Sequence, residues 1–577
     1  MTSIFKHLSL VTASLLFMAC DGGGSSSNPI QSPRPIPLSN TSKNISISED
    51  NQIEYLGKNT NVKTTVNIGN TAKSVYVLLS NSSETRASLP KITHNKIAQT
   101  QRSQKDVSTV VPTIHAKRRQ HAPAYIQAFN KNAKKHLKST QIGRSEKRTS
   151  LVPQKKDTLN NPKTFYTSAD QAKSTVATAR KIVTDINTSF GNKTLNIWVS
   201  NDSFGSSCKK SKCVTQEMVD ALAQTFLKRG LNNDIYDWVT NIYGEEWNGE
   251  EWNAVDGNKY GNFIGASNEI TILLTDIDND DSANGGTIGY FFAKDNVKKT
   301  SMSGSNERVM FYIDSVMFAN GEGTWDIDDA WPKEMVATLA HEFVHMIHFY
   351  QKTLMLIPGE GDTDTWINEM MAETTEDLVA TKIKHTGPRG VLHTDGSAGS
   401  ENNKDGRYGL FNENNTLSLS TWTGALADYS KVNAFGTYLT RNYGGAQVLH
   451  DIMYNPYSDE QAIIDAVRKS PQGEGKTFAD LQKEWGVAVL LSDQDDLGED
   501  KPTYNTGDFT LSAMGDVIYK MGAINFFNYS DQPKISTSVG KVQPQGNYYY
   551  KVGDNLTGTV TIDLMLDATT SATLIVK

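Results

Sequence analysis

The sequence predicts a mixed α/β (α+β) domain with a central buried helix and a mainly helical second lobe, flanked by a small β unit at each end. Three observations predict it. Apolar residues alternate with period two near both ends, between Asn44 and Ser83 and again beyond Asp508. In the middle, strand-like apolar runs (Leu195–Val199, Glu269–Leu274, Arg308–Ile313) are interspersed with helix-like stretches. A long run with helical spacing, Lys333–Gln351, follows Trp331 and Pro332, and proline suits a first helical turn. A chain of 577 residues exceeds one compact core, and its 37% hydrophobic and 21% charged content is that of an ordinary globular protein.

Residues 1–19 carry the marks of an export signal: Lys6 near the start, then the apolar run Leu8–Ala19. That run is shorter than the ~20 residues a permanent membrane helix needs. It ends in Leu-Phe-Met-Ala-Cys, which resembles a bacterial lipobox with Cys20 as the lipidated residue; an ordinary signal peptide with a chance cysteine is the alternative. Residues 20–43, opening on Asp-Gly-Gly-Gly-Ser-Ser-Ser-Asn, suit a flexible tether outside an anchor. The expected location is the cell envelope, with the folded part outside the cytoplasm. Once Cys20 is set aside, only Cys208 and Cys213 remain, and an oxidising compartment favours a disulfide across that short loop over a metal site or two free thiols.

The first β unit covers 44–90, with Ile45, Ile47, Val62, Val66, Ile68, Val75, Val77 and Leu79 alternating between turns near Gly57, Gly69 and Asn81. Residues 91–160 differ in kind. Between 91 and 156 stand sixteen Lys or Arg against Asp106 and Glu146, a net +14, whereas the rest of the chain carries −21. Such a stretch buries too little apolar surface to fold alone. It is expected to be a basic linker; an inhibitory pro-segment lying across an acidic domain is the competing reading. No nucleic-acid motif accompanies the charge, so no nucleic-acid partner is expected.

The main domain spans 161–495. A helix-like stretch, Ala169–Ile186, leads to the strand Leu195–Val199, and a second helix, Thr215–Lys228, follows the cysteine loop. The strand Glu269–Leu274 ends in Thr-Asp-Ile-Asp-Asn-Asp-Asp, where Asp276, Asp278 and Asp280 offer alternating oxygen ligands of the kind calcium takes; a polar turn is the plainer reading. Two or more helices lie between Trp366 and Trp485, and a carboxy-terminal β module covers 505–577.

The sharpest chemical signal is His-Glu-Phe-Val-His, 341–345. Helix positions four apart lie one above the other, so both imidazoles project from one face and can share a zinc ion without straining the backbone. Glu342 then reaches the open side of the ion as general base. Met335, Leu339, Phe343 and Met346 at helical spacing bury the helix that carries the pair. Positions 348 and 351 are His and Gln rather than the Gly and His of a metzincin, so the third ligand lies elsewhere. The run from Trp366, Trp-Ile-Asn-Glu-Met-Met-Ala-Glu, places Glu369 and Glu373 one turn apart: Glu369 as third ligand, Glu373 as outer acceptor for a ligand imidazole N–H.

The runs HEFVHMIHF and WINEMMAE, with LNIWV, NDIYDWVTNIYG, LLTDIDNDD and GGTIGYF upstream, resemble the hyicolysin family of bacterial secreted neutral metallopeptidases, within the thermolysin-like gluzincins. The resemblance covers about residues 160–495 and neither end. It implies a zinc peptidase with ligands His341, His345 and Glu369, base Glu342, and protein or peptide substrates. Such enzymes also use a tyrosine or histidine to stabilise the oxyanion; Tyr429 is the first candidate, with Tyr443, His348 and His450 behind it. No Gly-x-Met-Glu-Asn segment is present, which favours an endopeptidase over an aminopeptidase. A surface adhesin built on the same fold is the rival, against which the intact set of ligands and base speaks.

Overall fold

The computed structural model describes residues 39–96, 119–120, 122–134, 156–230, 234–247, 262–357, 361–383, 407–494, 497–498, 500–504, 507–511, 517–529 and 531–577. The export signal, Cys20 and most of the basic segment lie outside them. Strands β1 (Ser39–Ser46), β2 (Gln52–Lys58), β3 (Thr60–Asn81) and β4 (Lys91–His94) come first. They are followed by the short β5 (Arg119–Gln120) and helix α1 (Ala124–Lys131). Next come β6 (Pro162–Tyr166), β7 (Ser174–Thr188), β8 (Gly191–Ser200), helices α2 (Gln216–Phe226) and α3 (Ile235–Tyr243), and β9 (Glu269–Thr275). Then follow β10 (Gly286–Thr287), β11 (Gly289–Phe291), β12 (Val309–Asp314), α4 (Ser315–Phe318) and α5 (Ala330–His348).

These strands build a six-stranded mixed sheet in the order β11-β12-β9-β8-β7-β6. β8, β9 and β12 run parallel, while β11 is antiparallel to β12 and forms the sheet's edge. The region predicted as a helix at Ala169–Ile186 is instead mostly β7, antiparallel to β8. Thr175, Val176, Thr178, Ile182, Val183, Thr184 and Ile186 are β-branched and favour a pleated surface over a helical one. The small Ala177 and Ala179, two apart on one face of the strand, are buried beside Phe165 and Trp198.

The sheet's other face carries α2, α3 and α5. Phe343 of α5 sits among Phe226, Tyr236 and Phe311 with ring centroids 5.6, 5.4 and 5.8 Å away. This aromatic cage fixes the helix in the turn that bears the paired histidines. Beyond α5 the chain continues as a π-helical turn (Phe349–Leu356) into the helical lobe. The lobe comprises α6 (Thr365–Ile383), α7 (Arg407–Asn414), α8 (Leu426–Asn442), α9 (Ala446–Met453), α10 (Glu460–Val467) and α11 (Phe478–Leu490). α6 and α8 approach closely at Gly436, where a β-carbon would stand 1.9 Å from Thr374 Oγ1. Among the described residues no helix is long and apolar enough to cross a membrane.

The chain ends in β13 (Gly507–Leu511), β14 (Val517–Met521), β15 (Gly546–Met565) and β16 (Thr570–Val576). The β units predicted separately at the two ends form one sheet: β3 pairs with both β15 and β16, β2 pairs with β16, and Ser80 faces Ser571 across the ladder. Alternating residues from both ends (Val66, Val75, Val77, Leu79, Val560, Ile562, Leu574) fill a common core that neither half could enclose alone. Residues 39–43, predicted as tether, already belong to β1. The sheet is tied to the helical lobe by Gln482, whose Nε2 donates to Asn81 O (3.1 Å) and whose carbonyl accepts from Asn547 Nδ2 (3.0 Å).

Candidate metal centre

α5 and α6 pack against each other and bring His341, His345 and Glu369 together. The Nε2 atoms of His341 and His345 stand 3.0 Å apart, and each lies 3.4 Å from Glu369 Oε2. Four ligands held tetrahedrally at about 2.0–2.1 Å from zinc stand about 3.3–3.4 Å from one another, which the two separations to Glu369 match and the imidazole pair falls about 0.3 Å short of.

The rest of each side chain fixes which atom faces inward. His341 Nδ1 meets Glu376 Oε1 at 2.7 Å, and His345 Nδ1 meets Asn368 Oδ1 at 3.1 Å. Both Nδ1 atoms face oxygens, and in the tautomer that puts the ring protons there both Nε2 atoms present lone pairs to the same point as the Glu369 carboxylate. Glu369 Oε2 is buried and has no hydrogen-bond partner among the described residues. Three converging electron-pair donors repel unless a cation lies between them. Burial opposes charge on His341, yet Glu369 and Glu376 outweigh it and raise its pKa well above the ordinary value. Burial likewise opposes charge on Glu369, and the two imidazoles overcome it and hold the carboxyl below the usual range. The residues present fit zinc.

Comparison with known proteins bears on the same region. The family profile for peptidase M30 matches residues 173–533, more than half the chain and all of the elements just described. The chain belongs to the peptidase M30 family. It is also 25% identical over 249 residues to the neutral metalloprotease ShpI of Staphylococcus hyicus, a match covering 41% of this chain and 50% of that protein. The chain thus spans about half the length of this relative. Among solved structures, a two-domain M1 zinc metallopeptidase mutant bound to L-arginine matches at 10% identity and a TM-score of 0.26, over 56% of this chain and 53% of that one.

In this M30 chain Glu342 is buried beside the cluster, and its Oε2 accepts from the Phe291 N–H of edge strand β11 (2.9 Å). The base candidate is therefore oriented by a backbone N–H of the sheet's edge strand. Glu373, predicted to accept the imidazole proton, does not: its nearest approach to His341 Nδ1 is 4.0 Å. Its carboxylate instead takes a two-pronged ion pair from Arg407 (Nε to Oε2 and Nη2 to Oε1, both 2.9 Å) and a bond from Asn433 Nδ2 (3.2 Å). Glu369, Glu373 and Glu376 share one helical face, and the crossing of α6 over α5 decides which carboxylate meets the ring. Sequence reasoning missed the pairing of Asn368, which stands in the quoted run, and Glu376, which lies three residues beyond its end.

Of the oxyanion candidates, Tyr429 lies on α8 within the electrostatic reach of Glu369; burial raises its pKa well above the ordinary value. Its ring is held between Arg407, 5.4 Å from the centroid, and Trp422 at 4.9 Å. Tyr443 bonds Glu484 (2.7 Å) and His450 bonds Ile242 O (2.7 Å), away from the cluster. His348 lines the cavity beside the cluster, but its Nε2 is occupied by Thr363 Oγ1 (2.9 Å).

In the acidic run after β9 the carboxylates are met by protein donors. Lys210 donates to Asp276 Oδ2 (2.8 Å) and Asn279 Oδ1 (2.9 Å), and Asp276 also accepts from the backbone of Asp280 and Asp281. Asp278 and Asp280 accept from the backbone of Thr287 and Ser282. Asp276, Asp278 and Asp280 do not converge as a metal cluster. Lys210 comes from the loop closed by the Cys208–Cys213 disulfide, whose Cα atoms are 5.9 Å apart.

Proposed function

We propose that this chain is a zinc endopeptidase that hydrolyses peptide bonds in proteins, with His341, His345 and Glu369 as ligands and Glu342 as general base. The observation that carries the reading is the convergence of two imidazole nitrogens and a buried carboxylate oxygen within 3.0–3.4 Å of one another, with a second buried carboxylate alongside. Zinc, when bound, supplies Lewis-acid polarisation of the scissile carbonyl and a lowered pKa for water.

The protein's own residues do the rest. An extended substrate pairs with edge strand β11. Glu342 takes the proton of the attacking water and returns it to the leaving amine. Tyr429, once its hydroxyl is turned into the cleft, donates to the developing oxyanion, a contribution on the scale of about 2.7–4 kcal/mol. Glu376 and Asn368 hold the imidazoles in the required tautomer. Export and anchoring through a lipidated Cys20 place the site outside the cytoplasm, within reach of protein substrates. Cleavage of casein and of an internally quenched peptide library, lost on chelation and in Glu342→Ala, is the expected result. Cleavage retained in Glu342→Ala contradicts the reading.

A further inference from the structure

The cleft that a substrate needs is already filled. β5 runs parallel to β10, and the chain then turns into α1, directly over the candidate centre. Ala122, Gln127, Asn130 and Lys131 line the same cavity as Glu342, His345 and Glu369.

The contacts are those a bound peptide makes. Asn130 Nδ2 donates to Phe291 O and Asn130 Oδ1 accepts from Ala293 N, both at 2.8 Å. One side-chain amide thereby takes the acceptor and donor that edge strand β11 and the residues after it offer to an extended main chain. Gln127 Nε2 donates to the Tyr429 hydroxyl at 2.8 Å, engaging the oxyanion candidate. Ile126 is fully buried, and Phe129 meets Phe292 edge-on at 5.1 Å. The buried Lys134 ammonium donates to Ile357 O (2.8 Å) and Gly361 O (3.3 Å), which pins the far end of the segment. About 50 Å³ of cavity remains beside the cluster, space for a water or two and not for a peptide. The basic segment that supplies this helix carries +14 against the −21 of the rest of the chain, so long-range charge favours the docked state.

We propose that residues 119–134 are an intramolecular plug of the active-site cleft, and that the chain as translated is held inactive until this segment is displaced or removed. The inference rests on the peptidase reading and names the regulation of its site. Asn130 is the residue that mimics substrate main chain, and Gln127 the residue that occupies the oxyanion donor.

The test compares the full chain with two full-chain variants, Gln127→Ala/Asn130→Ala and Ile126→Asp, the first keeping the buried Ile126 anchor. Rates on a quenched peptide are measured alongside amide exchange at Ala293, with near-UV circular dichroism to check folding. The expected result is a rise in kcat/KM of about tenfold or more, the scale of two or three lost hydrogen bonds, together with faster exchange at Ala293. A synthetic peptide of residues 119–134 added to the double variant is expected to inhibit competitively. Unchanged rates and unchanged exchange in the folded double variant, with no inhibition by the peptide, overturn the plug. Faster exchange with no hydrolysis by any form keeps Asn130 as the cover of β11 and overturns the peptidase reading instead.

Discussion

Two acidic regions of this chain invite a metal on sequence grounds, and the structure treats them in opposite ways. At residues 276–281 the carboxylates are met by protein donors: Lys210 from the disulfide loop and a series of backbone N–H groups. At the α5–α6 junction the second layer is equally well supplied, with Arg407 on Glu373, Glu376 on His341 and Asn368 on His345. Among the described residues the inner layer there has no Lys or Arg partner. Two imidazole nitrogens and Glu369 Oε2 face one another across 3.0–3.4 Å. A run of aspartates is thus weak evidence for a metal site. The stronger sign is a buried donor set whose own counter-charge the fold withholds.

The largest effect that sharpens this contrast is expected from Glu342→Gln. The inner donors stay in place, so one zinc per chain is retained while peptide hydrolysis falls by about 10²–10⁴-fold, the range of a positioned general base. Loss of zinc along with activity would place Glu342 among the ligands instead.

Glu373→Ala tests the outer layer from the other side. It leaves the Arg407 guanidinium buried without its carboxylate and should cost about 3–5 kcal/mol of stability, read as a lowered denaturation midpoint. Glu376→Gln is expected to be milder for the fold and sharper for the metal, weakening zinc affinity by about 10–100-fold in a competitive chelator titration. If these two variants exchanged phenotypes, the assignment of Glu376 rather than Glu373 to the His341 ring would be wrong.

The smallest effects belong to the acidic loop. Millimolar calcium should leave the wild-type Tm unchanged. Lys210→Ala is expected to lose about 1–3 kcal/mol and to make the loop responsive to calcium, because Asp276 then lacks its ammonium partner. Calcium stabilisation of the wild type would erase the distinction between the two regions.

What could be read in the sequence follows the range of the interactions involved. His341 and His345 are four apart on one helix and depend on local geometry alone, whereas Glu369 is singled out by its one-turn pairing with Glu373 downstream of that helix and by the family resemblance. The choice between Glu373 and Glu376 depends on how α6 crosses α5, and Arg407, which claims Glu373, arrives 34 residues later. The strand at Ser174–Thr188 is fixed by its pairing with Gly191–Ser200 and Pro162–Tyr166, long-range contacts that the local run Ala169–Ile186 does not display. The union of the two terminal β units pairs Ser80 with Ser571, a contact for which no local pattern exists. The charge of the basic segment was visible, whereas its docking over the centre depends on Asn130 and Gln127, ordinary polar residues whose meaning comes from Phe291, Ala293 and Tyr429.

The central claim is that three side chains from two helices hold one zinc ion. X-ray absorption at the zinc edge tests it most directly, on the wild type and on Glu369→Ala. The expected wild-type result is one zinc per chain with two imidazoles and oxygen ligands at about 2.0–2.1 Å. In Glu369→Ala the bound zinc should fall sharply while both imidazoles remain in the residual signal. A wild-type protein that retains no stoichiometric zinc, or one whose zinc shell is unchanged by Glu369→Ala, contradicts the account.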